Sequence, residues 1–158
     1  MEKTGELDDF DRKILHEVQI DNLLTSAEMA ERVGLSPTSV QRRLNRLRKD
    51  GVIRRDISVV APRDVGRTLT MIVSVELERD RADIIDSFKK ALRQDPFVMS
   101  AWYVTGQTDF VMLVTARDIQ EYEAFTRRFL HDNPDIKGFR TTVVMDEIKT
   151  SFYVPPWG

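Results

Sequence analysis

Basic side chains are concentrated in one short stretch of this 158-residue chain. Residues 42–55 carry seven arginines and lysines and a single acid, Asp50, although the formal net charge of the whole chain is −2. The first 35 residues, by contrast, contain nine acids and four bases. Guanidinium and ammonium groups form charge-assisted hydrogen bonds with phosphates, so the stretch is a candidate site for a polyanion. A solvated helix face is the alternative interpretation.

Other kinds of chemistry have little support in the sequence. The chain has no cysteine, and its two histidines, His16 and His131, are far apart, which argues against disulfides, thiolate catalysis and a metal centre. The acidic pairs Asp8-Asp9 and Asp146-Glu147 have no histidine or nucleophile beside them, and no phosphate-binding glycine loop or serine elbow is present. We therefore expect no catalytic residues, no metal and no cofactor, and a protein that is not an enzyme.

The basic stretch begins within the third of three predicted helices. Hydrophobic residues at helical spacing predict the first helix over 8–20, and the pair Thr25 and Glu28 has the spacing of a capping box at the start of the second. Gly34 can end that helix in a left-handed conformation, and Ser36-Pro37 supplies an N-cap and a first helical residue for the third. Two helices joined by so short a turn form a helix-turn-helix.

The third predicted helix has one apolar side and one side rich in hydrogen-bond donors. Val40, Leu44 and Leu47 form the buried stripe. The opposite side carries Thr38, Ser39, Arg42, Asn45, Arg46 and Lys49. After Asp50-Gly51, the β-branched residues of 52–60 predict one or two short strands, which would form a basic wing.

This arrangement predicts insertion of the third helix into the major groove of DNA, with an ordinary exposed helix as the alternative. The predicted DNA-binding residues are Ser36, Thr38, Ser39, Arg42, Arg43, Arg46, Arg54 and Arg55. Arg42 and Arg46 are the candidates for base or groove contacts. Arg43 flanks the buried stripe, so it could bind either a phosphate or an internal acid. Arg54 and Arg55 would contact the DNA backbone, unless the wing is only a solvated hairpin.

The second half of the chain changes to alternating hydrophobicity. The predicted elements are a strand near 71–78, a helix over 84–94, strands over 98–105 and 110–116, a helix from 119 to about 133 and a strand over 139–145. This βαββαβ order is that of a ferredoxin-like domain. The expected fold is therefore α+β, with a winged helix-turn-helix domain over 1–62, a linker over 63–67 and a ferredoxin-like effector-binding and assembly domain over 68–158.

The predicted sheet has apolar residues on both of its faces. Along 110–116 the two sets of alternate residues are both hydrophobic, which predicts that the second face is covered by another subunit in a homodimer. The residues expected to fill the core of this domain are Trp102, Phe110, Phe125, Phe129 and Phe139. The polar and aromatic end, 151–158, could be an added edge strand or an arm that reaches a neighbour.

Several segments together resemble the Lrp/AsnC family of feast/famine regulators, over about Leu7–Phe152. They are Leu7-Asp8-x-x-Asp11-x-x-Ile14-Leu15, Glu28-Met29-Ala30, Val33-Gly34-Leu35-Ser36, Val40-x-x-Arg43-Leu44-x-x-Leu47, Gly51-Val52-Ile53, Gly66 and Val104-Thr105-Gly106-x-x-Asp109. Their order and spacing are specific, although each alone is common. Two positions depart from the family: Met29 stands where many members have leucine, and Arg55-Asp56 replaces a small residue and an aromatic.

The resemblance implies an amino-acid effector that binds between neighbouring dimers near residues 106–109, and assembly of dimers to octamers. The residues it implicates in effector binding are Tyr103, Thr105, Gly106 and Asp109, with Thr141 and Thr142 lining the facing side. Turn amides and an aspartate offer partners for both charges of a zwitterion. A tight hairpin turn without a ligand is the alternative interpretation of this loop.

The sequence thus predicts a DNA-binding transcriptional regulator that binds a pseudo-palindromic operator in double-stranded DNA and responds to a small molecule. The alternative is an amino-acid-sensing adaptor that binds protein instead of DNA. No stretch is long and apolar enough for a membrane span, and the start of the chain lacks the pattern of a secretory signal, so we expect a cytoplasmic protein.

Overall fold

The computed structural model describes residues 6–157, which form two compact units. One unit contains the described chain up to Ser58 and, again, the segment from Lys149 onward, whereas the other is Val59–Ile148. The sequence had suggested a boundary at 63–67 and a second domain that runs to the end of the chain. The C-terminal segment joins the first unit because its backbone is hydrogen-bonded to a helix there. Within 6–157, no helix has the length and apolar character needed to cross a membrane.

The first unit contains three helices, α1 (Asp9–Ile20), α2 (Ser26–Val33) and α3 (Pro37–Lys49). Both α1 and α2 begin with complete capping boxes, in which the N-cap side chain and the side chain three residues later each accept a backbone N–H. Gly34 ends α2 with φ of 77°, a conformation that strongly favours glycine. These local signals confirm the helix-turn-helix expected from the sequence.

The core of the first unit is one apolar cluster formed by all three helices. Ile14 of α1 and Val40 of α3 are completely buried. The other buried members are Leu15, Val18, Met29, Ala30, Val33, Leu44 and Leu47. The cluster fixes α3 on α1 and α2, so the polar side of α3 faces outward.

The segment after α3 does not form the strands expected from its β-branched residues. Val52 and Ile53 pack partly buried on the helical core, and the N–H of Ile53 donates to the carbonyl of Leu47 at 3.0 Å. Residues 54–60 are exposed and contain no strand. A strand needs a neighbouring strand for its backbone hydrogen bonds, and none lies beside this segment in the described chain. The prediction of wing strands over 52–60 was therefore wrong for the single chain.

The second unit is a four-stranded antiparallel sheet with two helices. Its elements are β1 (Leu69–Leu77), α4 (Ala82–Gln94), β2 (Val98–Tyr103), β3 (Phe110–Ala116), α5 (Ile119–Thr126) and β4 (Ile136–Val143). The strand order β2-β3-β1-β4 confirms the ferredoxin-like arrangement. A short 3₁₀ turn, Pro62–Val65, precedes β1, and a π-helical turn, Arg127–His131, extends α5. Strand β4 begins earlier than predicted, since Ile136 pairs with Leu77 of β1.

The two helices cover one face of the sheet and leave the other open. Met71, Val73 and Val75 of β1 pack with α4 and α5 in the core of this unit, together with Phe110 and Phe125. The opposite, open face of the sheet carries Ile72, Leu113, Val111, Trp102 and Thr142. Trp102 is 54% exposed there, so its assignment to the core was wrong. Strand alternation explains the error, because Trp102 pairs with Val111 on the open side.

Candidate functional site

The outward side of α3 carries an ordered row of polar side chains. Thr38, Gln41, Arg42 and Asn45 are exposed there, and with Ser26 of α2 they line a shallow, open depression. The Oγ of Ser26 donates to Gln41 Oε1 at 2.7 Å, and Gln41 Nε2 donates to Asn45 Oδ1 at 3.0 Å. These bonds hold the amides in place on the surface.

Gln41 was missed by the sequence analysis. It lies three residues after Thr38 and four before Asn45, so helical spacing alone places it on the same side as both. Its link to Ser26 depends on how α2 crosses α3, which the sequence does not specify.

Arg42 presents its charge to solvent. Within residues 6–157 its guanidinium has no ion-pair partner, and the same holds for Arg54 and Arg55 beyond the helix. Arg48, in contrast, pairs with Asp56 at 3.0 Å. A planar guanidinium without a partner is suited to bind two acceptors at once, such as O6 and N7 of guanine or two phosphate oxygens.

Two arginines of α3 that the sequence names as candidates for DNA contacts are paired with acids at the start of α1 in the single chain. Arg43 Nη1 lies 2.7 Å from Asp11 Oδ1 and 2.7 Å from Asp8 Oδ2. Arg46 Nη2 contacts the other oxygen of Asp11, which is completely buried. The side chain of Arg43 is only 20% exposed, whereas that of Arg46 is 45% exposed. Of the two alternatives left open for Arg43, the structure shows the internal acid; Arg46 shares its charge between Asp11 and solvent.

The serines at the start of α3 serve mainly as caps. Ser36 Oγ accepts the backbone N–H of Ser39 at 3.3 Å and donates to Ser39 Oγ at 2.9 Å. Both hydroxyls are thereby engaged in the helix N-terminus. Thr38 is exposed between them and stays available to an external partner.

The capping acids Asp8 and Glu28 make the stability of the first unit depend on pH in the acidic range. The backbone N–H of Asp11, helped by Arg43, holds the pKa of Asp8 below its usual value, and hydrogen bonds from Thr25 do the same for the pKa of Glu28. A carboxyl whose pKa is lower in the folded state stabilises the fold above its unfolded-state pKa and loses that contribution as the pH falls through the folded value.

We therefore expect the thermal unfolding midpoint of this unit to fall as the pH drops through the acidic range in which Asp8 and Glu28 gain protons. Circular dichroism melts from pH 7 to pH 3 measure the effect. The double variant Asp8→Asn, Glu28→Gln should be less stable at neutral pH and less sensitive to acid. An acid profile that is identical in the variant and the parent would contradict this origin of the pH dependence.

The hairpin between β2 and β3 holds Asp109 in a fixed position. Its backbone N–H donates to the carbonyl of Val75 at 2.9 Å, and its Oδ2 accepts the N–H of Leu77 at 2.7 Å. Gly106, with φ of 128°, allows the turn. Within the described residues, Asp109 Oδ1 has no hydrogen-bond partner, so one oxygen of a half-buried, well-held carboxylate is open to a ligand.

The other implicated residues divide into two groups. Tyr103 lies at the same hairpin, with its ring 5.0 Å from that of Phe110 and 4.7 Å from the ammonium of Lys89, and Thr105 and Gly106 are exposed beside it. The two threonines of β4 lie elsewhere. Thr141 and Thr142 pair with the middle of β1, at Val73 and Ile72, whereas Asp109 bonds to the end of that strand.

Thr141 and Thr142 also point to opposite sides of the sheet. The hydroxyl of Thr141 is hydrogen-bonded to that of Tyr122 on the helix side, and Thr142 lies on the open face. The single chain therefore brings Tyr103, Thr105, Gly106 and Asp109 together but does not bring the two threonines to them.

Both the helical unit and the sheet unit match known protein families. Residues 70–154 match the family model of the Lrp/AsnC ligand-binding domain, and residues 7–54 match that of winged helix-turn-helix DNA-binding domains. The chain belongs to the Lrp/AsnC family.

Several known transcriptional regulators are similar to this protein over nearly the whole chain. The HTH-type transcriptional regulator y4tD of Sinorhizobium fredii is 58% identical, with 95% of this chain and 89% of y4tD covered. The leucine-responsive regulatory protein of Escherichia coli is 31% identical, over 92% of this chain and 89% of its own length. The crystal structure of the regulator NMB0573 of Neisseria meningitidis in complex with L-Met has a TM-score of 0.89 at 30% identity, covering 95% and 97% of the two chains.

The two halves of this Lrp/AsnC protein thus correspond to a DNA-binding helix-turn-helix and a ligand-binding domain. It is a transcriptional regulator of the helix-turn-helix type, and its effector domain is the ferredoxin-like unit.

Proposed function

We propose that this regulator binds a pseudo-palindromic operator as a homodimer by placing α3 in the major groove, and that an amino acid changes its affinity for that operator. The observation that carries the proposal is the ordered polar row of α3, in which Arg42 has an exposed guanidinium beside Thr38, Gln41 and Asn45. In this proposal the protein acts in the cytoplasm and catalyses no reaction.

The arginines of this region have different roles in DNA binding. Arg42 contacts base edges, with Thr38 and Asn45 beside it, and Arg54 and Arg55 bind phosphates on the DNA backbone. Arg43 and Arg46 hold α3 against Asp11 of α1, and the exposed part of Arg46 adds positive charge near the groove. Ser36 and Ser39 keep the first turn of α3 in shape through the hydrogen bonds between them.

A second copy of the chain covers the open face of the sheet. Ile72 is 41% exposed and Trp102 is 54% exposed on this face, and Val111 and Leu113 lie between them. An apolar sheet face of this kind is stabilised when another subunit covers it. A two-fold dimer presents two copies of α3, so the half-sites should lie about one helical turn, or a multiple of it, apart. Dimers then assemble further, with octamers as the proposed form.

The effector site is at the β2–β3 hairpin. Asp109 Oδ1 would accept the ammonium of an amino acid, and the exposed backbone of Thr105 and Gly106 would meet its carboxylate. Thr141 and Thr142 would contribute only from a neighbouring subunit. The support for an amino acid comes from the relatives, since the Neisseria regulator was crystallised with L-Met and the Escherichia coli relative is named leucine-responsive.

The variant Asp109→Asn should bind the amino acid about tenfold to a hundredfold more weakly than the parent, because a hydrogen bond to a charged group contributes about 1.5 to 3 kcal/mol. Asparagine can still accept the N–H of Leu77, so the loop is preserved while the charge is lost. Isothermal titration calorimetry with the best effector measures the difference. Asp83→Asn, which changes an exposed acid on α4, is the control; equal affinities for all three proteins would reject the site.

Selection of duplex DNA from a random library, repeated with a panel of amino acids, tests the whole proposal. We expect enrichment of an imperfect palindrome whose yield changes with at least one amino acid. The logarithm of the operator affinity should then fall linearly with the logarithm of salt concentration, with a slope of about −0.9 for each phosphate contact. Absence of any enriched sequence, together with salt-independent binding to a protein partner, would support an adaptor instead.

A further inference from the structure

The end of the chain is bound along the outer side of α1. The side-chain amide of Gln19 and the backbone of Val154 form a reciprocal pair, with Gln19 Nε2 donating to the Val154 carbonyl at 3.0 Å and the Val154 N–H donating to Gln19 Oε1 at 2.7 Å. About two helical turns earlier, the guanidinium of Arg12 donates to the carbonyl of Pro156. Two side chains of α1 therefore hold the backbone of the tail at two points.

An aromatic cluster lies between these two anchors. His16 Nδ1 is 2.8 Å from the hydroxyl of Tyr153, and the His16 ring is 5.0 Å from the ring of Trp157 and 5.8 Å from that of Tyr153. Aromatic pairs at these separations stabilise a contact beyond the apolar area they bury. Arg12, His16 and Gln19 follow one another at four and three residues, so they form a single stripe along the helix.

This segment is neither of the two forms that the sequence had left open. Residues 149–157 contain no strand, so they do not extend the sheet, and their contacts are with α1 of the same chain. The C-terminal segment belongs to the same compact unit as α1, so the chain passes from one unit to the other twice, at Ser58–Val59 and at Ile148–Lys149. The DNA-binding unit is thus connected to the effector unit at both ends of the latter.

We propose that residues 152–157 are an intramolecular strap that binds the stripe Arg12, His16 and Gln19 of α1 and gives the DNA-binding unit a second attachment to the effector unit. A change in the effector unit then reaches α1 through the strap as well as through the linker. Since α1 holds Arg43 and Arg46 of α3 through Asp11, the strap acts on the helix that carries the reading surface. The regulatory part of this inference rests on the proposed function, but the contact itself does not.

Chemical crosslinking tests the contact without DNA or effector. The natural chain has no cysteine, so the double variant Gln19→Cys, Val154→Cys has only two thiols. A short bis-maleimide should join them within one chain, giving a product of monomer mass in denaturing electrophoresis and a single crosslinked peptide by mass spectrometry. Glu31→Cys, Val154→Cys, with its first thiol on α2, is the control and should react poorly. A product of dimer mass, or no preference over the control, would overturn the intramolecular strap.

Removal of the strap tests its role in regulation. A chain ending at Ser151 and the point variant Gln19→Ala should both bind the amino acid within about twofold of the parent by calorimetry. The ratio of operator affinities with and without the amino acid should move toward one in both variants, because coupling between the sites is lost. An unchanged ratio in both would overturn the regulatory role. A parent protein that binds no operator would instead contradict the proposed function while the crosslink still forms.

Discussion

Replacement of Asp11 by alanine should lower the free energy of unfolding of the DNA-binding unit by about 3 kcal/mol, since removal of one partner from a buried ion pair leaves uncompensated charge. Asp11 is completely buried and accepts hydrogen bonds from both Arg43 and Arg46. It also accepts the backbone N–H of Asp8 in the capping box. After this replacement Arg43 would keep only its contact with the more exposed Asp8, and the buried Nε of Arg43 already has no partner in the part of the chain that the structure describes.

Urea unfolding followed by far-ultraviolet circular dichroism measures this loss. Asp11→Asn keeps the size of the side chain and should still be clearly destabilising, because the amide offers one acceptor oxygen where the carboxylate offers two. Asp9→Ala, which removes the exposed acid two residues earlier in the same helical turn, is the matched control and should cost no more than about 1 kcal/mol. Equal losses for the Asp9 and Asp11 variants would show that the network with α3 contributes little.

Replacement of Arg42 by alanine should weaken binding to the selected operator about tenfold to a hundredfold, the range of roughly 1 to 3 kcal/mol expected for one good bidentate base contact. The preference at one base pair should relax at the same time. The stability of the protein should not change, because Arg42 has no ion-pair partner within residues 6–157. This combination separates Arg42 from Arg43, whose replacement should destabilise the fold.

Gel-shift titrations with the operator and with single-base variants of it measure both effects. Arg48→Ala is the matched control, since it removes the same charge from the same helix, but from a side chain paired with Asp56. It should weaken binding modestly and equally for all sequences, through lost attraction to phosphates. Wild-type affinity and wild-type base preference in Arg42→Ala would reject the proposed base contact.

The sequence was most informative where structure is decided locally. The caps at Thr25 and Ser36, the left-handed Gly34 and the apolar stripes each depend on residues within about one or two helical turns, and the structure confirms all of them. The βαββαβ order could also be predicted, because the spacing of hydrophobic residues changes between helical and alternating at the same places where turn residues occur.

Partners that lie far away along the chain could not be predicted from the sequence. Arg43 and Arg46 bind an acid that precedes them by 32 and 35 residues, and only the packing of α1 on α3 shows that Asp11 is within reach. Helical spacing correctly placed Arg46 on the outer side, but it could not show that a long side chain would turn back to a buried carboxylate.

Other features depend on neighbours that the single chain does not supply. The residues of 54–60 have strand-forming composition but no adjacent strand, and Trp102 has a large apolar ring on a face that nothing in the chain covers. The pairing of Thr141 and Thr142 with Asp109 was implied by resemblance alone. Alternation along β4 separates these threonines onto two faces, which sets a limit on what one subunit can contribute to the effector site.

Tethered cleavage of the operator tests most directly whether the outer side of α3 enters the major groove. Because the chain has no cysteine, Thr38→Cys can carry a single iron–EDTA reagent on this side, and Ser87→Cys can carry the same reagent on α4 of the effector unit. We predict that the Thr38 reagent cuts the DNA at two places, one within each half-site, and that the Ser87 reagent leaves the half-sites intact. Uncut half-sites with the Thr38 reagent on a protein that still binds the operator would contradict the account.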